Sequence, residues 1–501
     1  MNIGLALKDA QAKWPDDIAI WFKDRSYTFR SLNQVTNNLA NFFTDLGLKR
    51  GDPVALFLPN SDYFALAYYA IMRMGGIAVP LDIRFRGTEL KDILIEVKPK
   101  VLVVSDSTLQ FVSPFLRELS SLKHVLVAGE KVSSGYLSLD EGLNFTSRQD
   151  IIAPVGPHND CLYLYTSGST GTPKGVVLCY HHLDYFSEGI NSIIHIPPGH
   201  VTLMPLPMGH ISGPLCCNFL LTNGLSMVIV DRIRPDTLLS AIERYNVNWF
   251  WAVPPIFAML VQAKDREKYD VSSLKLIAMM GMTVPVSLMD AFERAFPGVM
   301  VIQGYGLTET SPLVTLPDIN WLKEKMGSIG KAVPRIEIKI VDDEGNEVPK
   351  GEIGELIVCG PQVMKGYYKK PDLTAKVIHN GWFYTGDMAR VDEDGYYYHV
   401  GRKDDMIITG GLNVFPAEIE NVLHQHPDIA EAAVVGIPHS MRGTVIKAAI
   451  VPVLGRNLTK RELRDFCKRH LATYKIPQQF VIMDALPKTG TGKIFRQGLT
   501  D

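Results

Sequence analysis

A chain of 501 residues with 46% apolar and 21% charged side chains has the make-up of folded globular protein, and it is too long for one compact core. Its 51 basic and 53 acidic residues give a formal net charge of −2, which leaves no global basic field for nucleic acid. Six cysteines without a CxxC pair or His/Cys ligand spacing argue against a disulfide framework or a structural zinc centre, and point to a reducing compartment.

In chain order, "MNIGLALKDAQAKWPDD" has no basic segment leading into a long apolar core, so it does not read as a secretory signal. "DPVALFLP" reads as a strand, "DYFALAYYAIMRMG" as a helix ending at glycine and "GIAVPL" as a second strand. "CLYLY" is a strand that runs into "YTSGSTGTPKGVVL". "CCNFLLTNGLSMVIV" is too short for a membrane span and is interrupted by Asn218, Asn223 and Gly224. The expectation is a soluble, cytoplasmic protein with no membrane span and no nucleic-acid partner. The strand–helix rhythm then returns, with "TLLSAIERYN" and "VSLMDAFERAFP" as helices and "VNWFWAVP", "LKLIAMMG" and "VMVIQGYG" as strands. Such alternation predicts parallel sheets covered by helices, with ligands gathered at loops beyond the carboxyl ends of the strands.

From about residue 333 the pattern changes to hairpins. "RIEIKIVDDEGNEVPKGEIGELIVCG" is two strands about an Asp-Glu-Gly-Asn turn, and "ARVDEDGYYYHVGRKDDMIITGG" repeats the motif. A compact unit follows, with helices at "PAEIENVLHQH" and "TKRELRDFCKRHL", the latter opened by a Thr459–Glu462 capping box, and strands at "AEAAVVGI" and "VIKAAIVPV". The predicted class is α/β. A large N-terminal part (1–403) carries parallel-type sheets, helices and a small β subdomain (about 333–403). A small α+β C-terminal domain (404–501) completes the chain, the boundary falling within Arg402–Asp405.

The loop after "CLYLY" departs from the nucleotide-triphosphatase pattern: Pro173 precedes Lys174, and Gly175 follows it where Ser or Thr is required. Its content still suits a polyphosphate. Gly168, Gly171 and Gly175 permit tight backbone approach, Thr166, Ser167, Ser169, Thr170 and Thr172 bring hydroxyl donors, and Lys174 adds a point charge.

"YTSGSTGTPKG" resembles the signature of the adenylate-forming superfamily, which includes acyl-CoA synthetases, peptide-synthetase adenylation domains and firefly-type luciferases. "YGLTE" (305–309), "GWFYTGD" ending at Asp387, "GRKDDMIITGGLNVFPAEIE" (401–420) and "LPKTGTGKIFR" (486–496) follow in the family's order. The resemblance implies activation of a carboxylic acid with ATP and magnesium as an acyl-adenylate, followed by transfer to coenzyme A. The alternative acceptor is a carrier-protein thiol. It implies that Tyr305 stacks on adenine beside Gln303, Gly304 and Gly306, that Thr308 reaches the α-phosphate, and that Glu309 binds the metal. Asp387 would hold the ribose with help from Arg402, and Lys493 would bridge carboxylate and α-phosphate. The C-terminal domain would be mobile about Asp404, withdrawing Lys493 and presenting Gly410 and Gly411 to the pantetheine arm.

By the same resemblance His210 gates the acyl pocket, which Trp251, Met280, Gly281 and Met282 would help to line. Ile211 and Ser212 stand where peptide-synthetase domains carry an amine-binding Asp, so an α-amino acid is disfavoured. No basic residue for a second carboxylate stands out near His210. The expected substrate is a short to medium aliphatic or simple aromatic acid. Homodimerisation is left open.

Overall fold

The computed structural model describes residues 1–129, 132, 134–146, 149–167, 173–282, 284–409, 412–439, 443–453, 455–488 and 494–500. Two large sheets organise the first two-thirds of the chain. The eight-stranded sheet runs in the order Gly366–Tyr367, Pro173–Cys179, Asp160–Ser167, Ile77–Pro80, Pro53–Phe57, Val101–Ser105, His124–Ala128 and Leu137–Ser138. The seven-stranded sheet runs Met300–Gln303, Leu276–Met279, Trp249–Ala252, Val201–Met204, Ser226–Ile229, Ile18–Phe22 and Arg25–Thr28. Their central strands pair in parallel and are apolar almost throughout, as strands covered on both faces must be.

The helix Asp62–Arg73 explains why its sequence is apolar nearly all round. Every residue except Tyr63 is buried, and it packs on Pro53–Phe57 and Ile77–Pro80 of one sheet and on Ile18–Phe22 of the other. It meets the equally buried helix Ser212–Asn223, where the Tyr68 hydroxyl donates to Asn218 Oδ1 at 3.0 Å and the Tyr69 hydroxyl to the Cys217 carbonyl at 2.6 Å. Gly224 ends that second helix with φ +65, where an added Cβ would press on the Trp14 ring.

The alternating reading misses the edge of the eight-stranded sheet. Pro173–Cys179 turns back antiparallel on Asp160–Ser167, and the two-residue strand Gly366–Tyr367 is recruited from much later in the chain to pair with it. Both hairpins expected after residue 333 form one antiparallel sheet of Glu337–Val341, Gly354–Cys359, Trp382–Val391, Ile378–His379 and Tyr397–Arg402. Beyond it lie the hairpin Ile407–Thr409/Leu412–Val414 and a three-stranded sheet of Ile429–His439, Gly443–Pro452 and Gln479–Ile482. The helix Lys460–His470 carries its capping box: Glu462 N donates to Thr459 Oγ1 at 3.2 Å, and Thr459 N to Glu462 Oε2 at 2.8 Å. Among the described residues no helix is long and apolar enough to cross a membrane.

Candidate active site

The glycine-rich loop joins two antiparallel strands in which Thr166 faces Lys174 and Ser167 faces Pro173. Gly168, Ser169, Thr170, Gly171 and Thr172 lie outside the described residues, as do Gly410, Gly411 and Lys493. Directly after the loop, Gly175 lies against the Tyr165 ring, whose atoms come within 3.0 Å of where a Cβ would stand. The Tyr165 hydroxyl donates to Glu96 Oε2 at 2.6 Å, and burial together with that carboxylate pushes its pKa up. Packing, rather than ligand approach, is what requires glycine at 175.

Lys174 leaves its strand toward two residues from other segments. Its Nζ donates to the Tyr367 hydroxyl at 2.8 Å and lies 3.8 Å from Glu309 Oε1. The Tyr367 hydroxyl in turn donates to Glu309 Oε1 at 2.9 Å. Burial lowers the Lys174 pKa, and the Glu309 carboxylate opposes that.

Glu309 belongs to the short turn Thr308–Thr310, just beyond the carboxyl end of the strand Met300–Gln303. The turn is tied from within by Leu307 N donating to Thr310 Oγ1 at 3.0 Å. A Cβ on Gly306 would overlap the carbonyl oxygen of Pro312, so this glycine admits the chain's own return. A Cβ added at Gly304 would stand 2.9 Å from Met280 Cε and 3.1 Å from Leu316 Cδ2.

Asp387 is 3% exposed, on the strand Trp382–Val391, and draws three partners together. The Tyr305 hydroxyl donates to its Oδ2 at 2.7 Å, Arg402 Nη1 donates to Oδ1 at 3.1 Å, and His399 Nε2 lies 3.3 Å from Oδ1. Arg402 Nη1 is also held by the Thr385 carbonyl at 2.9 Å. Burial pushes the Asp387 carboxyl up, but the His399 imidazole, the Arg402 guanidinium and the Tyr305 hydroxyl hold it down at about 2. The Tyr305 ring, expected to be open for stacking, already lies 6.0 Å from the His399 ring at an interplanar angle of 29°. His399 and Tyr367 are additions that no sequence motif signalled. Asp404 is exposed in the turn after Arg402. The neighbouring Lys403 N donates to the Gly386 carbonyl at 2.8 Å, and Lys403 Nζ lies 3.0 Å from Glu355.

His210 stands in the turn before the helix Ser212–Asn223. Its Nε2 lies 2.9 Å from Asp82 Oδ2 and 3.1 Å from Arg84 Nη2, and Arg84 grips Asp82 as a fork through Nε–Oδ1 at 2.8 Å and Nη2–Oδ2 at 2.6 Å. Burial raises the Asp82 carboxyl, but His210 and Arg84 bring it below the usual carboxylate range. The expectation that no basic residue neighbours His210 therefore fails: Arg84 is there, although its charge is matched by Asp82. Trp251 is 7% exposed, packed edge-on to Phe186 at 5.4 Å and against Trp249 at 5.3 Å. Of the remaining pocket candidates, Met280 is half-buried beside Gly304, Gly281 is exposed with φ +88, and Met282 is half-buried.

Residues 7–368 match the AMP-binding enzyme family, and residues 418–493 match the AMP-binding enzyme C-terminal domain. The chain belongs to the AMP-binding enzyme family. A long-chain-fatty-acid–CoA ligase of Bacillus subtilis (strain 168) is 33% identical over 99% of this chain and 93% of its own. A feruloyl-CoA synthase of an Amycolatopsis species is 33% identical over 96% of this chain and 95% of its own. The crystal structure of an anthranilate CoA ligase in complex with anthranoyl-AMP superimposes with a TM-score of 0.93 at 30% identity, covering 100% of this chain and 96% of that one.

The donor set fits the nucleotide that this AMP-binding family takes. Among the described residues, Thr166 Oγ1 and Gln303 Oε1 are buried polar atoms without a hydrogen-bond partner, the condition a bound polar ligand relieves. Lys174 brings a cation to the mouth of the loop, and Glu309 is a hard oxygen ligand of the kind magnesium accepts. Thr308 opens the turn that carries Glu309. Asp387, whose carboxyl its neighbours hold down at about 2, can accept hydrogen bonds from hydroxyl groups as a carboxylate. Asp387→Asn is expected to weaken ATP binding by roughly thirtyfold, about 2 kcal/mol for a lost charge-assisted contact. Calorimetric titration of the variant, with its circular dichroism unchanged, checks this.

The fold also assembles Cys179, His181 and His182, which the sequence reading did not credit with ligand spacing; their ligand atoms lie within 4.8 Å of one another. His182 is not available to a metal. Its Nδ1 accepts from Cys179 N at 2.7 Å, which puts the ring proton on Nε2, facing the Val363 carbonyl at 3.0 Å. Burial and the adjacent His181 lower its pKa to about 4, as befits a neutral structural imidazole.

Proposed function

We propose that the protein is an ATP-dependent acid–thiol ligase that converts a carboxylic acid to its acyl-adenylate and then to a coenzyme A thioester. One observation carries the proposal: Lys174 at the start of its strand, Glu309 in the turn after Met300–Gln303 and Asp387 on Trp382–Val391, from three distant motifs, are brought together through Tyr367, Tyr305 and Arg402. In the first step a carboxylate oxygen attacks the α-phosphorus of ATP, the bond to the β-phosphate bridge oxygen breaks, and pyrophosphate leaves. In the second the thiolate sulfur attacks the acyl carbonyl carbon, and AMP departs with the carboxyl oxygen.

The roles follow the chemistry of each group. The loop Thr166–Lys174 grips the β- and γ-phosphates that depart. Thr308 contacts the α-phosphate, and Gln303 and Tyr305 border the adenine. Asp387 and Arg402 hold the ribose. Bound at Glu309, magnesium would screen the phosphate charge. Lys493 neutralises charge on carboxylate and α-phosphate together. We place the division between a nucleotide-holding part and a C-terminal domain at 403/404, with Asp404 as hinge, so that Lys493 serves the first step and Gly410–Gly411 the second. The buried aromatic cluster of Trp251, Trp249 and Phe186 supports a simple aromatic or short to medium aliphatic acid as substrate.

The test is an acid panel, from benzoate and hydroxycinnamates to aliphatic acids of graded length, incubated with ATP and magnesium, with and without coenzyme A. The expected result is AMP release that depends on one acid class and a thioester of matching mass when coenzyme A is present. Equal AMP release in both arms with no thioester would overturn the ligase reading.

A further inference from the structure

The segment 362–368 staples two parts of the site that are far apart in sequence. On one side Tyr368 N donates to the Gly175 carbonyl at 2.7 Å and Lys365 N to the Val177 carbonyl at 3.1 Å, so the segment rides on the strand that carries Lys174. On the other side Met364 N donates to the Glu309 carbonyl at 2.8 Å, and Ser311 Oγ donates to the Gln362 carbonyl at 2.8 Å. Tyr367 sits at the middle of this staple. Its backbone is fixed by Tyr367 N donating to Thr374 Oγ1 at 2.9 Å, and its side chain is 5% exposed. The phenol therefore reaches Glu309 from a rigid base.

A phenol can accept one hydrogen bond while it donates another, and here it does both: it accepts from Lys174 Nζ and donates to Glu309 Oε1. Both contacts to the carboxylate, from Tyr367 and from Lys174, fall on Oε1. Oε2 is the oxygen they leave out. Glu309 is 8% exposed, and a carboxylate so buried needs a compensating cation.

We propose that Tyr367 is a positioning residue that presents Glu309 Oε2 to magnesium, and that Lys174 stands in for the metal on Glu309 until the magnesium–nucleotide arrives. The inference rests on the reading of Glu309 as the metal ligand. With a cation held at Glu309, the Lys174 ammonium would be free to turn to the phosphates. The phenol holds the carboxylate through the exchange, because its own anchor is the staple and not the lysine. Glu309 thus always has one cation beside it, and Lys174 always has one anion.

Calorimetric titration of ATP with magnesium and with EDTA measures the gain in affinity that the metal confers. Glu309→Gln is expected to abolish that gain. Tyr367→Phe removes the hydrogen bonds but keeps the ring, and is expected to cut the gain about tenfold while affinity in EDTA stays within about twofold. Lys174→Met is expected to tighten binding of Mn2+ alone, without nucleotide, by at least about tenfold, read by the resonance of free Mn2+. A full magnesium gain in Tyr367→Phe, with Glu309→Gln having lost it, overturns the role of Tyr367 and leaves the Glu309 reading standing. A full gain in Glu309→Gln overturns that reading itself. Unchanged or weaker Mn2+ binding in Lys174→Met overturns the placeholder.

Discussion

Lys493→Ala is expected to slow adenylate formation by about two to three orders of magnitude while leaving thioester formation from supplied acyl-adenylate near its normal rate. The first step brings a carboxylate against a triphosphate, two anions that repel as they approach. A flexible ammonium that contacts both is most valuable where their charges converge, in the transition state. Lys493 lies outside the described residues, but the chain on either side of it is anchored. Lys488 and Ile494 pair as an antiparallel bridge, Lys488 Nζ lies 2.7 Å from Glu431, and Arg496 Nη1 donates to Glu420 Oε1 and the Val434 carbonyl at 2.6 Å. Lys488 and Arg496 are thus both tied to the strand Ile429–His439 or its neighbouring helix. Pyrophosphate release reads the first step, and thioester formed from synthetic acyl-adenylate reads the second. Equal loss of both steps in a folded variant would rule out separate duties for the two domain positions.

Gly306→Ala is expected to destabilise the protein by more than about 4 kcal/mol, the range reached when a backbone contact cannot relax. Its added methyl group meets the Pro312 carbonyl, which is main chain and cannot rotate away. Gly304→Ala, two residues earlier, meets the methyl end of Met280 and a Leu316 methyl group, which can shift, and should cost about 1–3 kcal/mol. Thermal unfolding of the two variants side by side separates the cases. The order reversed, with Gly304→Ala the more damaging, would mean that the Thr308–Thr310 turn does not need the close return at Gly306. Because Glu309 lies in that turn, Gly306→Ala should also abolish ATP binding at temperatures where it remains folded.

Much of the architecture was legible from local pattern. The apolar runs at Pro53–Phe57 and Ile77–Pro80 declared buried strands, the "DEGN" turn declared its hairpin, and the Thr459–Glu462 cap declared the start of its helix. These features depend on neighbours a few residues away, so the sequence displays them directly. Residue types in the loop pointed to Lys174 as a phosphate contact, whereas Glu309, Asp387 and Arg402 were singled out by the resemblance of the ordered motifs to the adenylate-forming superfamily. The tertiary structure alone decided what those groups touch. Tyr367 lies 193 residues from Lys174 and 58 from Glu309, and Arg84 lies 126 from His210. The contacts are made by a strand recruited to a sheet edge and by turns packed backbone to backbone. Charge compensation in a buried site depends on distance through space, and spacing along the chain carries no record of it.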